Sequence, residues 1–111
     1  MFSLFNTTAR KFKDIPAAVF KELAFKPDTE ILDVRTAVEF SSEKIEGARN
    51  LDIRNPDFLN QARNLPKDKT YLVYCGSGSR SGQACEILSE LGFEKVNNLS
   101  GGLVRWPFGT I

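Results

Sequence analysis

The stretch Tyr71-Leu72-Val73-Tyr74 presents apolar surface at every position. A strand with one wet face alternates apolar and polar side chains, so an unbroken run fits a parallel strand covered on both faces. Such a strand requires helices above and below its sheet. The residues that follow supply one: Ala84, Ile87, Leu88 and Leu91 share a face at helical spacing, with Gly92 placed to cap the end.

The rest of the chain alternates in the same way. Pro16 suits a first helical turn, followed by Val19, Phe20, Leu23 and Ala24. Pro27-Asp28 breaks this pattern before a short strand over 30–34. Thr36-x-x-Glu39 is a capping box, in which hydroxyl and carboxylate each satisfy a backbone donor, and it opens a helix carrying Val38 and Phe40. Another strand is expected over 48–53. Asn55-Pro56 reads as N-cap and first position of a helix with Phe58, Leu59 and Ala62, closed by Pro66. A last strand near 95–99 leads into Gly101-Gly102 and a terminal turn. Alternating elements predict an α/β domain with a mainly parallel sheet, and 111 residues suffice for one core but not two.

Composition narrows the function. A formal net charge of +1 gives no support for nucleic-acid or membrane-surface binding, so any anion site must be local. The opening Met1-Phe2-Ser3-Leu4-Phe5-Asn6 lacks a basic region and is soon interrupted by polar residues, so neither a signal peptide nor a membrane span is expected, and a cytoplasmic location is. Two cysteines in a reducing compartment argue for chemistry or packing rather than a structural disulfide. With no histidine, Ser-His-Asp triads, Cys-His dyads and His-containing zinc sites are excluded, and no metal site is expected. Any nucleophile must be activated without imidazole.

Cys75 follows the apolar strand directly, where α/β sheets place their sites. Gly76, Ser77, Gly78 and Ser79 come next, then Arg80. Residues this small let the backbone curl until successive N–H groups converge, and the helix N-terminus adds its positive end. A thiolate at the centre is stabilised, with a pKa below the ordinary value of about 8.5. The same cradle accepts an oxyanion. Arg80 at a helix start is locally unfavourable, which suggests that it binds an anion or braces the loop. Asp33 and Arg35 end the neighbouring strand as supporting residues, Asp33 accepting hydrogen bonds from loop groups. Cys85 flanks the apolar helix face and reads as packing.

Three stretches in order resemble the rhodanese family. They are Ile31-Leu32-Asp33-Val34-Arg35-Thr36-x-x-Glu39-Phe40, then Ile45-x-Gly47-Ala48-x-Asn50-Leu51, then the Cys75 region with Cys-x-x-Gly-x-Arg-Ser, Glu90-Leu91-Gly92-Phe93, Leu99-Ser100-Gly101-Gly102-Leu103 and Trp106. On this resemblance 1–11 form an N-terminal extension and 12–111 a rhodanese domain. It implies a five-stranded parallel sheet flanked by helices, and a cysteine that alternates between free and persulfide forms. Sulfur arrives from thiosulfate or a persulfide and leaves to cyanide or a thiol acceptor, with no metal or organic cofactor. The partners implied are therefore a small sulfur-containing donor and a low-molecular-weight or protein thiol. The family often has His where Lys44 stands, a structural change. Some thiosulfate-specialised members carry cations after the cysteine, where Gly76 and Ser77 are neutral; this counts against thiosulfate as the physiological donor, not against sulfur transfer.

Two other readings stay open. One is a non-catalytic rhodanese module for partner or anion binding. The other is a phosphatase or arsenate reductase, against which the loop length argues: protein tyrosine phosphatases place five residues between Cys and Arg, and here there are four.

Overall fold

The computed structural model describes residues 11–111. Of the N-terminal extension expected at 1–11, all but Lys11 lies outside the described residues. The sheet is built from β1 (Lys13–Ile15), β2 (Thr29–Asp33), β3 (Ala48–Asn50), β4 (Thr70–Tyr74) and β5 (Val96–Leu99). Their order across it is β1-β5-β4-β2-β3, and every neighbouring pair is parallel. Four helices connect them: α1 (Ala17–Ala24), α2 (Ala37–Ser42), α3 (Phe58–Arg63) and α4 (Ser79–Glu90). A 3₁₀ turn, Leu103–Arg105, follows β5.

Strand β4 occupies the middle of the sheet, and its unbroken apolar character has the expected cause. Tyr71, Val73 and the adjoining Cys75 enter a core layer with α3 and α4, together with Phe58, Ala62, Ala84, Cys85 and Leu88. Leu72 and Tyr74 enter the opposite layer, with Phe20 of α1, Ile15, Ile45 and Leu99. Each fully buried apolar side chain contributes about 1.5–3 kcal/mol. Two phenols are brought inside as well: Tyr71 donates to the Pro66 carbonyl, and Tyr74 accepts from the Ile45 N–H at 3.0 Å. Burial pushes the Tyr71 phenol up to about 12 and raises that of Tyr74 further.

Local chemistry sets the helix ends. Thr36 and Glu39 form the reciprocal capping box of α2. At the end of α4, Gly92 adopts φ +99, its N–H reaches the Ser89 carbonyl and the Phe93 N–H reaches that of Leu88. That pairing is a Schellman closure. Several boundaries differ from expectation. Pro16 is the N-cap of α1 rather than its first residue, and Val19 faces solvent while Phe20 carries the packing. Strand β3 stops at Asn50, short of residue 53. Asn55-Pro56 does not open α3: the Asn55 side chain accepts from the Asp57 N–H at 2.8 Å, making a turn that delays the helix to Phe58. No α2 residue is buried, so that helix is held by its cap and its edges rather than by an apolar face.

Candidate active site

Cys75 leaves the carboxyl end of β4 fully buried, and its sulfur is met by donors from the turn beyond. The Gly78 N–H lies 3.1 Å from Sγ, the Ser81 N–H 3.3 Å and the Ser81 hydroxyl 3.3 Å. Gly78 holds φ +104 as the N-cap of α4, a conformation open to glycine, and so directs its amide at the sulfur. Burial alone pushes the thiol up. The Ser81 hydroxyl and amide, with the Gly78 and Ser77 amides, outweigh it and leave Cys75 below its ordinary value. The thiolate is therefore the favoured partner of this cradle.

Of the loop amides expected to converge, that of Gly78 reaches the sulfur, and the carbonyls before it are drawn the other way. The Cys75 carbonyl accepts from the Leu103 N–H at 2.9 Å and the Gly76 carbonyl from the Val104 N–H at 3.0 Å. A planar peptide sends its N–H opposite to its C=O, so the amides of Gly76 and Ser77 are turned away from the 3₁₀ segment.

Arg80 is the second residue of α4, which starts one position earlier than expected, at Ser79, and it has a partner 41 positions away. Its guanidinium makes a two-pronged bond to Glu39, Nη1 to Oε1 at 2.8 Å and Nη2 to Oε2 at 3.1 Å. Arg80 holds the Glu39 carboxyl down to about 2 against the opposing effect of burial, with Thr36 helping. Of the two roles suggested for Arg80, bracing is the one visible: it ties the start of α4 to the capping box of α2.

Asp33 and Arg35 require a correction. Asp33 is fully buried, but it does not accept hydrogen bonds from the Cys75 loop. Its carboxylate accepts from Arg35, from the backbone N–H at 2.9 Å, Nε at 3.0 Å and Nη2 at 2.6 Å. Arg35 Nη2 also reaches the Glu43 carbonyl at 2.6 Å, and Asn50 Nδ2 donates to the carbonyls of Asp33 and Arg35. Both residues brace the chain between β2 and the end of α2. Neither touches the sulfur.

Ser79 lies within the loop as the first residue of α4. Ser81 is a site residue that the sequence pattern does not single out; its spacing of six from Cys75, on the first turn of a helix whose N-terminus faces that sulfur, is the signal that points to it. Cys85 is fully buried in the layer behind the loop, as packing predicts. Among the described residues no group of three or more acidic, Cys or His side chains is placed to hold a metal ion, and no helix is long and apolar enough to cross a membrane.

Known proteins share the sequence pattern and the fold. The pattern of the rhodanese-like domain matches residues 16–107. A sulfurtransferase of Allochromatium vinosum is 38% identical over 88 residues, covering 78% of each chain. A thiosulfate sulfurtransferase of Escherichia coli is 37% identical over 70 residues, 63% of this chain and 67% of that one. A tRNA uridine(34) hydroxylase of Cytophaga hutchinsonii is 33% identical over 104 residues, 91% of this chain, which spans only 33% of the hydroxylase. Among solved structures, a rhodanese-related protein of Thermoplasma volcanium superposes with a TM-score of 0.77 at 30% identity, covering 89% of this chain and 97% of that one.

Proposed function

The chain belongs to the rhodanese-like domain family, and from that membership we propose that it is a sulfurtransferase whose Cys75 carries sulfur as a persulfide. One observation carries the reading: a buried thiol that, in a chain without histidine, receives three hydrogen bonds from Gly78 and Ser81. Those donors stabilise the thiolate, which is the nucleophilic form. Relatives named as sulfurtransferases support it.

In the first half-reaction the Cys75 thiolate attacks the outer sulfur of thiosulfate. A new Sγ–S bond forms from the thiolate electron pair, the S–S bond of the donor breaks, and sulfite leaves with the bonding pair. A persulfide donor reacts in the same way, with a thiolate leaving. In the second half-reaction a thiolate or cyanide attacks the terminal sulfur and Cys75 departs as thiolate. No external oxidant or reductant is required. The inward amides of the loop suit a terminal sulfur that bears negative charge. Complete burial of Cys75 favours donors whose reacting sulfur is terminal and unbranched.

The test is a steady-state assay of sulfur transfer from thiosulfate to cyanide. Cys75→Ser should lose all turnover while keeping the fold. Cys85→Ala, a change in the packing layer, should keep most of it at some cost in stability. Turnover by the Cys75 variant would refute the assignment.

A further inference from the structure

We infer that Gly102 and the 3₁₀ turn behind it act as a positioning clamp, which holds the Cys75 loop with its carbonyls outward and its amides toward the sulfur. The inference rests on the proposed role of Cys75 and adds residues from a different part of the chain. Gly102 has φ +64 and ψ −165. An added Cβ there would collide with the Gly76 carbonyl group and come within 2.7 Å of the Ser77 nitrogen. Both are backbone atoms, so no side chain can swing aside to relieve the contact. The two segments therefore touch main chain to main chain at the Gly76–Ser77 peptide.

That contact brings two donors into register. Leu103 N–H reaches the Cys75 carbonyl at 2.9 Å, and Val104 N–H reaches the Gly76 carbonyl at 3.0 Å. Each bond fixes the rotation of one loop peptide. Without them the carbonyl dipoles are free to turn toward Sγ, where they would repel the thiolate that the Ser77 and Gly78 amides stabilise. The far end of the loop is fixed independently, since the Gly78 carbonyl is taken by the Gly82 N–H at 3.0 Å within α4. The clamp thus acts on the half of the loop that no helix controls.

The neighbouring glycines separate this role from ordinary strain. Gly109 has φ +86 with nothing within 4 Å of an added Cβ, so Gly109→Ala imposes left-handed strain without a collision. The measurement is thiolate ultraviolet absorbance against pH, each protein referenced to the same protein carrying Cys75→Ser. Gly102→Ala should move the Cys75 midpoint upward, and at any pH below the midpoint the thiolate fraction falls about tenfold for each unit of that rise. Sulfur loading from thiosulfate at neutral pH should fall with it. Gly109→Ala should leave both readings as in the wild type. Should Gly102→Ala fail to fold, Leu103→Pro removes the donor to the Cys75 carbonyl, along with a partly buried side chain on the far core layer, at a turn start that tolerates proline, and should shift the midpoint in the same direction. A wild-type midpoint in Gly102→Ala or, failing that, in Leu103→Pro overturns the clamp, as does an equal shift in Gly109→Ala. Absence of sulfur loading in the wild type would instead strike the proposed function, and the absorbance comparison would still decide the clamp.

Discussion

Ser81 shows how much of the site depends on single atoms. Its hydroxyl and amide both lie 3.3 Å from the Cys75 sulfur. The amide survives any substitution, but the hydroxyl does not. A hydrogen bond to a charged acceptor contributes about 1.5–3 kcal/mol, so Ser81→Ala should raise the Cys75 midpoint by about one to two units. Absorbance titration would read the shift, and an unmoved midpoint would mean that the amides suffice alone. The same change has a stability signature. The folded thiol titrates below its ordinary value, so the stabilisation drawn from the cradle is complete above the unfolded pKa and is lost as pH falls through the folded one. The gap in stability between wild type and Ser81→Ala should therefore widen as pH rises toward about 9. At this scale the candidate nucleophile Cys75 and the small residues that let the chain turn after it were legible, because both leave a mark on local spacing. The direction of Asp33 was not: a carboxylate beside an arginine two residues along can satisfy itself locally, and here it does.

Elements couple through the Arg80–Glu39 pair, which joins the start of α4 to the first turn of α2. Glu39 also closes the capping box on Thr36, so one carboxylate serves both helices. Glu39→Gln keeps a side chain able to complete the box while removing the charge. Both partners are partly exposed, so the loss should be about 0–1 kcal/mol. Its pH dependence follows from the depressed carboxyl. The contribution is fully present above the ordinary value of 4.5 and disappears as pH falls through about 2. Urea unfolding of the two proteins should thus differ by a constant amount near neutrality and converge in acid; a gap undiminished at pH of about 2 would contradict the pairing. The capping box was legible because all of its parts lie within four residues. The pairing of Glu39 with Arg80 was not, since 41 positions separate them and only the fold brings them together. Strand β1 was also missed by pattern alone, because Lys13-Asp14-Ile15 is too short to show alternation and earns its place by pairing with β5.

On the scale of the molecule, the parallel sheet delivers Cys75 to the carboxyl edge, and the order β1-β5-β4-β2-β3 sets β4 between the two strands that flank the site. From β5 comes the turn that holds the loop carbonyls, and after β2 comes α2 with the partner of Arg80. This architecture was readable from the unbroken apolar run of β4 and the alternation around it. The contact of Gly102 with Gly76 was not, because a close approach of two backbones leaves no trace except the glycine itself. On the proposed function, the whole assembly holds one sulfur atom on Cys75. Intact mass spectrometry after incubation with thiosulfate tests this most directly. The wild type should gain the mass of one sulfur, which a thiol reductant removes, and Cys75→Ser should gain nothing. A wild-type mass that stays unchanged, or a gain that survives in Cys75→Ser, would contradict the account.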